Sequence, residues 1–167
     1  RVPIGKPPVP DIVDGFGESA SYKGYDFSVF MQGVARTSFF INPNDISPFV
    51  NERNALNVIA DNHWSINNPD PNAFWPRLST YSIANNEQQS TWWQRDGDFL
   101  RLKNVEIGYT FPDKETGLFS GLNTRIYFTG LNHLTFSKFD LWDTEMGGNG
   151  LGYPPQKVYN IGLQVNF

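Results

Sequence analysis

Three carboxylates fall within six residues at Asp140, Asp143 and Glu145. Oxygen ligands close in sequence suit calcium, so the three are a weak candidate site; their spacing lacks the EF-hand pattern. The run Gly147-Gly-Asn-Gly-Leu-Gly152 has the glycines of a nucleotide loop. It neither follows a parallel strand nor opens a helix, so it reads as a loop. The two histidines, His63 and His133, are far apart, and there is no cysteine and no Gly-x-Ser-x-Gly elbow. No carboxylate pair stands out for glycoside hydrolysis. No catalytic residue and no cofactor are expected.

Binding chemistry is better represented. Trp64, Trp75, Trp92, Trp93 and Trp142 are candidates for stacking on a sugar or touching a partner protein. Trp92 and Trp93 directly precede a strand, where an aromatic girdle or loop packing is the favoured alternative. Arg77, Arg95 and Arg101 with Asp96 and Asp98 form a candidate ion-pair cluster that anchors loops.

These residues must be carried by strands. Tyr159, Ile161, Leu163, Val165 and Phe167 alternate with Asn160, Gly162, Gln164 and Asn166. Side chains on a strand point to opposite faces at each step, so this ribbon has one apolar and one polar face. At the chain's 39% apolar content, such a nine-residue run arises in roughly one window in a thousand. The same alternation places strands at about 15–23, 25–36, 99–111, 125–136 and 157–167. In the strand near 99–111 it puts Arg101 and Lys103 on the outward, apolar side.

Connections alternate between short and long. Lys23-Gly24 and 113–123 are short; 38–97 and 138–156 are long and rich in Asn, Pro, Gly and Trp. A helix at 51–61 is conceivable on the spacing of Leu56, Ile59 and Ala60. Long loops at one end and short turns at the other are the asymmetry of an outer-membrane barrel. The chain is 167 residues with 16% aromatics and a net charge of −4. No basic cluster exists, which argues against nucleic acid. No run of about 18 apolar residues offers a transmembrane helix. Arg1 is not an initiator methionine, and no signal peptide opens the chain, so a longer parent protein is expected.

Phe99-Leu-Arg-Leu-Lys-Asn-Val-Glu-Ile-Gly-Tyr-Thr-Phe-Pro112 closely resembles the C-terminal segment of SusC/RagA-type TonB-dependent transporters. Similar in order are Ser21–Phe30, Asn72-Ala-Phe-Trp-Pro-Arg-Leu78, Ser90–Asp96, Phe128–Asn132 and Trp142-Asp143. One departure is Trp64-Ser-Ile-Asn-Asn-Pro69, where the family often has Trp-Thr-Pro-Glu-Asn-Pro. The resemblance implies an all-β chain forming the last five strands of a 22-stranded transmembrane barrel, with the plug domain absent. It implies import of oligosaccharides or peptides through a bacterial outer membrane. The implied partners are the rest of the barrel and plug, outer-membrane lipid, a SusD-like surface lipoprotein and the TonB complex. Phe167 would then be the barrel-assembly signal. The alternative reading is a soluble, aromatic-rich β-sandwich that binds carbohydrate.

Overall fold

The computed structural model describes residues 4–112 and 123–166. Its strands are β1 (Ile12–Tyr22), β2 (Tyr25–Ala35), β3 (Ser38–Phe40), β4 (Gln94–Asp96), β5 (Phe99–Thr110), β6 (Asn123–Ser137) and β7 (Val158–Asn166). Five of them form one antiparallel sheet in the order β1-β2-β5-β6-β7; β3 and β4 form a separate two-stranded ladder. The five sheet strands start and stop within three residues of the alternation pattern in the sequence.

The turn between β1 and β2 is set by Lys23 and Gly24, both in the left-handed region at φ 49° and 87°. Two positive φ values in a two-residue hairpin match the right-handed twist of the strands. At that end Tyr22, Tyr25, Tyr109, Ile126 and Leu163 are neighbours across the sheet. At the far end, Val34 faces Phe99 and Phe99 faces Ser137. Both long connections, 36–98 and 138–157, therefore leave from the same end.

The register sorts side chains into two faces. Phe27, Val29 and Met31 of β2 share a face with Ile107, Val105 and Leu102 of β5. Phe128 and Ile161 continue it across β6 and β7. Ser28, Glu106, Thr129 and Asn160 line the opposite face. There, the guanidinium of Arg125 ties Asp26 on β2 to Glu106 on β5. Gly162 leaves room on the polar face for the Tyr127 ring, which a Cβ at 162 would overlap.

Two irregularities interrupt this ladder, and the one on β5 changes its phase. On β5 the register slips between Leu102 and Asn104, against both neighbours. Lys103 is the extra residue of a β-bulge, so the phase changes there. Arg101 faces Gln32 and Thr135 on the polar side, not the apolar side that strict alternation implies. On β6, Asn132 sits at φ 56° and the pairing skips Asn132 and His133. Two skipped residues keep the parity of β6, so Leu134 and Phe136 stay on the apolar face with Ile126 and Phe128, and Leu131 lies opposite.

The apolar face is bare. Ile161 is 80% exposed, Leu163 64% and Phe136 60%. A sandwich would need a second sheet over this face, and among the described residues none covers it. Nor does any described strand pair with the outer edge of β1 or of β7. Residues 1–167 expressed alone are expected to aggregate or to require detergent. Static light scattering and thermal melting in detergent-free buffer check this; a monodisperse, cooperatively melting chain would contradict it.

Candidate functional site

The chain's one cluster of fully buried apolar side chains, among the described residues, lies in the long connections and not in the sheet. Ile41, Ile46, Ile59, Phe74, Trp75, Trp93 and Phe139 form it. The 36–98 connection is folded through short pieces: the β3–β4 ladder, α1 (Pro43–Ile46) and α2 (Asn57–Asp61). The Asn42 side chain caps α1 by accepting from the Asn44 N–H at 3.2 Å, satisfying one of the orphan donors of a helix start. Helix α2 occupies the second half of the 51–61 stretch and turns Ile59 inward, fully buried.

The tryptophans divide accordingly. Trp93 is 1% exposed and Trp75 5%; their rings lie 5.1 Å apart. The Trp93 indole N–H donates to the Asn86 carbonyl at 2.8 Å. A large aromatic sealed on all sides with its N–H satisfied is a packing residue. Trp93 thus packs in the loop core, and Trp75 is buried beside it. Trp92 is half-buried and donates to the Phe74 carbonyl. Trp142 is half-buried against Phe139 at 4.9 Å and donates to the Gly147 carbonyl. Trp64, also half-buried, has its backbone N–H on the Trp75 carbonyl and begins the tight Ser65–Asn68 turn.

The charged candidates pair differently from the sequence grouping. Lys6 Nζ reaches Asp96 at 3.0 Å and Asp98 at 2.5 Å, and Lys138 reaches Asp96 at 3.4 Å. Donating to Asp98 and then to Asp96 raises the Lys6 pKa above its ordinary value. Arg95 donates to the Trp92 and Gln94 carbonyls and lies over the Phe74 ring; burial lowers its pKa. Arg101, 1% exposed, holds Asp143 at 2.6 Å and Glu145 at 2.8 Å. Lys103, redirected by the bulge, sits 3.8 Å from Glu145.

The candidate calcium cluster is engaged by this clamp. Two of its three carboxylates already neutralise a buried guanidinium, and Asp143 also accepts the Glu145 N–H at 3.0 Å. Among the described residues no three acidic or histidine side chains converge as a metal site. The Arg101 clamp instead fastens the 138–157 connection over the polar face. A second fastening is the Asn42 N–H on the Gly148 carbonyl at 3.0 Å. Gly148 lies so close to the Phe40 carbonyl that a Cβ there would collide with it. The glycine run is thus a docking segment of the loop layer. His63 and His133 remain apart: the first contacts the Ile59 and Ala60 carbonyls, the second stacks on Tyr159 at 4.4 Å. Phe167 lies outside the described residues.

One cleft, of about 350 Å³, opens in this layer between Phe49 and the Arg77–Ile83 segment. No candidate from the sequence except Arg77 lines it. The signal for the rest was absent, because Phe49 and Tyr81 come together only through the loop fold. Truncation of a buried aromatic costs about 3–5 kcal/mol. Trp93→Ala in the intact protein is therefore expected to loosen 36–98 while leaving the sheet in place. Limited proteolysis with peptide mapping checks this; unchanged cleavage in these loops would contradict it.

No protein-family model matches the chain. It is 30% identical over 181 residues to TonB-dependent receptor P26 of Formosa agariphila, a match covering 96% of this chain and 17% of that protein. It is 25% identical over 167 residues to TonB-dependent receptor SusC of Bacteroides thetaiotaomicron, covering 98% of this chain and 16% of SusC. In three dimensions it is similar to the RagAB peptide transporter structure, with a TM-score of 0.74 and 27% identity over 98% of this chain and 18% of the other. The chain thus spans less than a fifth of the length of the relatives it matches. In fold, and in sequence along nearly all of its length, the chain is thus similar to SusC/RagA-type TonB-dependent receptors.

Proposed function

We infer that the chain is the C-terminal part of an outer-membrane importer, its five strands the last of a 22-stranded barrel. The observation that carries this is the bare apolar face between two unpaired edges. Hydrocarbon tolerates a sheet only when every strand edge is paired, which barrel closure achieves. The alternating faces then have distinct solvents: Phe27, Ile107, Phe128 and Ile161 meet lipid, and Asp26, Glu106 and Arg125 line the interior. The tyrosines at the short-turn end, with Tyr25 and Tyr109 rings 4.5 Å apart, suit a membrane interface. That end is periplasmic and the loop layer is extracellular.

The cargo is a nutrient too large for a porin, an oligosaccharide or a peptide. SusC and the RagAB peptide transporter among its relatives support this class of substrate. A SusD-like lipoprotein closes over the extracellular loops, and the TonB complex supplies the energy. Exposed apolar side chains at the loop tips, Ile66 at 78% and Tyr153 at 80%, fit contact with such a lid.

Uptake of labelled cargo by cells carrying the full receptor is expected to stop when TonB is deleted. Uptake that continues without TonB would contradict the importer reading. Deleting Phe167 should lower the amount of receptor in the outer membrane, measured by membrane fractionation, without changing ligand affinity. Arg at Ile161 faces lipid and is expected to cost about 2–4 kcal/mol near the bilayer midplane. Arg at Asn160, on the interior face, should be much milder. Equal losses in urea refolding into lipid vesicles would show the faces to be misassigned.

A further inference from the structure

We propose that the cleft beside Arg77 binds a sugar ring carrying a carboxylate; this rests on the importer reading and narrows its cargo. Arg77 is exposed and lines both the 350 Å³ cleft and a smaller one adjoining it. Among the described residues the other arginines all have partners. Arg36 holds Asp11, Arg53 the Asn44 and Asp45 carbonyls, Arg95 two carbonyls, Arg101 two carboxylates and Arg125 two more. Arg77 has none. Glu87, which lines the smaller cleft, accepts from the Ser82 hydroxyl at 2.7 Å instead. A guanidinium left free beside a cleft offers a planar, two-pronged donor for a carboxylate.

The rest of the cleft has the two-sided chemistry of a pyranose. Phe49, 44% exposed, and Tyr81, 72% exposed, are two aromatics that line it. Ser79 and Thr80 add hydroxyls, and Ile83 an apolar wall. A sugar ring has apolar C–H faces for the aromatics and a hydroxyl rim for the polar groups. A carboxylate on that ring would meet Arg77. The turn that carries Phe49 is also held in an unusual shape. Phe49, Asn51 and Glu52 all have positive φ, at 65°, 54° and 61°. Such non-glycine conformations are costly and gather where a ligand surface must be kept. The turn is tied down by the Phe49 N–H on the Arg53 carbonyl at 3.1 Å and by the Arg53 guanidinium on α1.

The test uses the full-length receptor in detergent and titration calorimetry with tetragalacturonate, its methyl ester, and a tetrapeptide with a free C-terminus. The wild type should bind the acid more tightly than the ester. Arg77→Gln should weaken the acid at least about tenfold and leave the ester unchanged. Tyr81→Ala should weaken both alike, and Arg77→Lys should fall between wild type and Arg77→Gln for the acid. The inference is overturned if the wild type does not bind tetragalacturonate, or if Arg77→Gln weakens acid and ester equally. It is also overturned if only the peptide's affinity depends on Arg77. Outer-membrane fractionation and TonB-dependent uptake are scored separately on the same receptor. A receptor that sits in the outer membrane and imports, yet ignores the charge at Arg77, overturns this inference alone.

Discussion

A β-sheet is satisfied only when its edges are. Each strand offers N–H and C=O groups to both sides, and here β1 and β7 have a partner on one side only. In water such edges invite aggregation, and in hydrocarbon they are prohibitively costly. The same sheet also has an apolar face that its own chain leaves bare. Both demands are met together if more strands continue the wall on each side and lipid covers the outside. The described residues meet neither demand in this fold, where the loops form a core of their own.

That loop core is the chain's second organising feature. Trp75 and Trp93, with Phe74, Ile41, Ile46 and Ile59, pack as the interior of a small globule mounted on one end of the sheet. Its backbone is largely irregular, held by turns and by single hydrogen bonds such as Ile41 N–H to the Trp93 carbonyl at 2.9 Å. Polar ties join it to the sheet. Lys6 and Lys138 converge on Asp96 and Asp98, where β4 passes into β5. Burial pushes the Asp96 carboxyl up, but the Asp98 N–H and the two lysines outweigh it and hold its pKa down. Arg101 reaches up from β5 to the carboxylates of the 138–157 connection. A removed partner there would leave a buried charge unmatched, which is worth several kcal/mol. The loops are therefore positioned by the wall they stand on, as a ligand-facing surface requires.

The sheet's two irregularities serve this junction. The bulge at Lys103 changes the phase of β5 so that Arg101 turns inward under the loops. Below it, Val105, Ile107 and Tyr109 keep the apolar face intact. On β6, Asn132 and His133 are skipped by the pairing with β5, and the Asn132 amide donates to the Gln156 carbonyl at 3.0 Å. Each irregularity lies where the regular wall gives way to the loop layer. That is a common use of bulges at barrel rims, where they re-aim a side chain or end a pairing.

The strands, their order of long and short connections, and the faces of β2 and β7 were written in the sequence. Alternation has a period of two set by backbone geometry alone, and the turn at Lys23-Gly24 carries its own φ requirement. The likeness to the TonB-dependent receptors was legible too, from the Phe99–Pro112 run. The orientation of Arg101 was not, because a single bulged residue inverts every inference drawn from parity across it. The tryptophans were legible as important but not as buried: whether an aromatic stacks on a ligand or seals a core depends on what non-local segments bring against it. Asp143 and Glu145 looked like ligands for a cation, and they are, but the cation is a guanidinium 42 and 44 residues earlier in the chain. The Arg77 cleft needed the whole loop fold to exist, since Phe49 lies 28 residues before Arg77. Local periodicity is a property of the backbone and can be read off a string. Contacts between distant loops depend on how the whole chain closes, and only tertiary structure decides them.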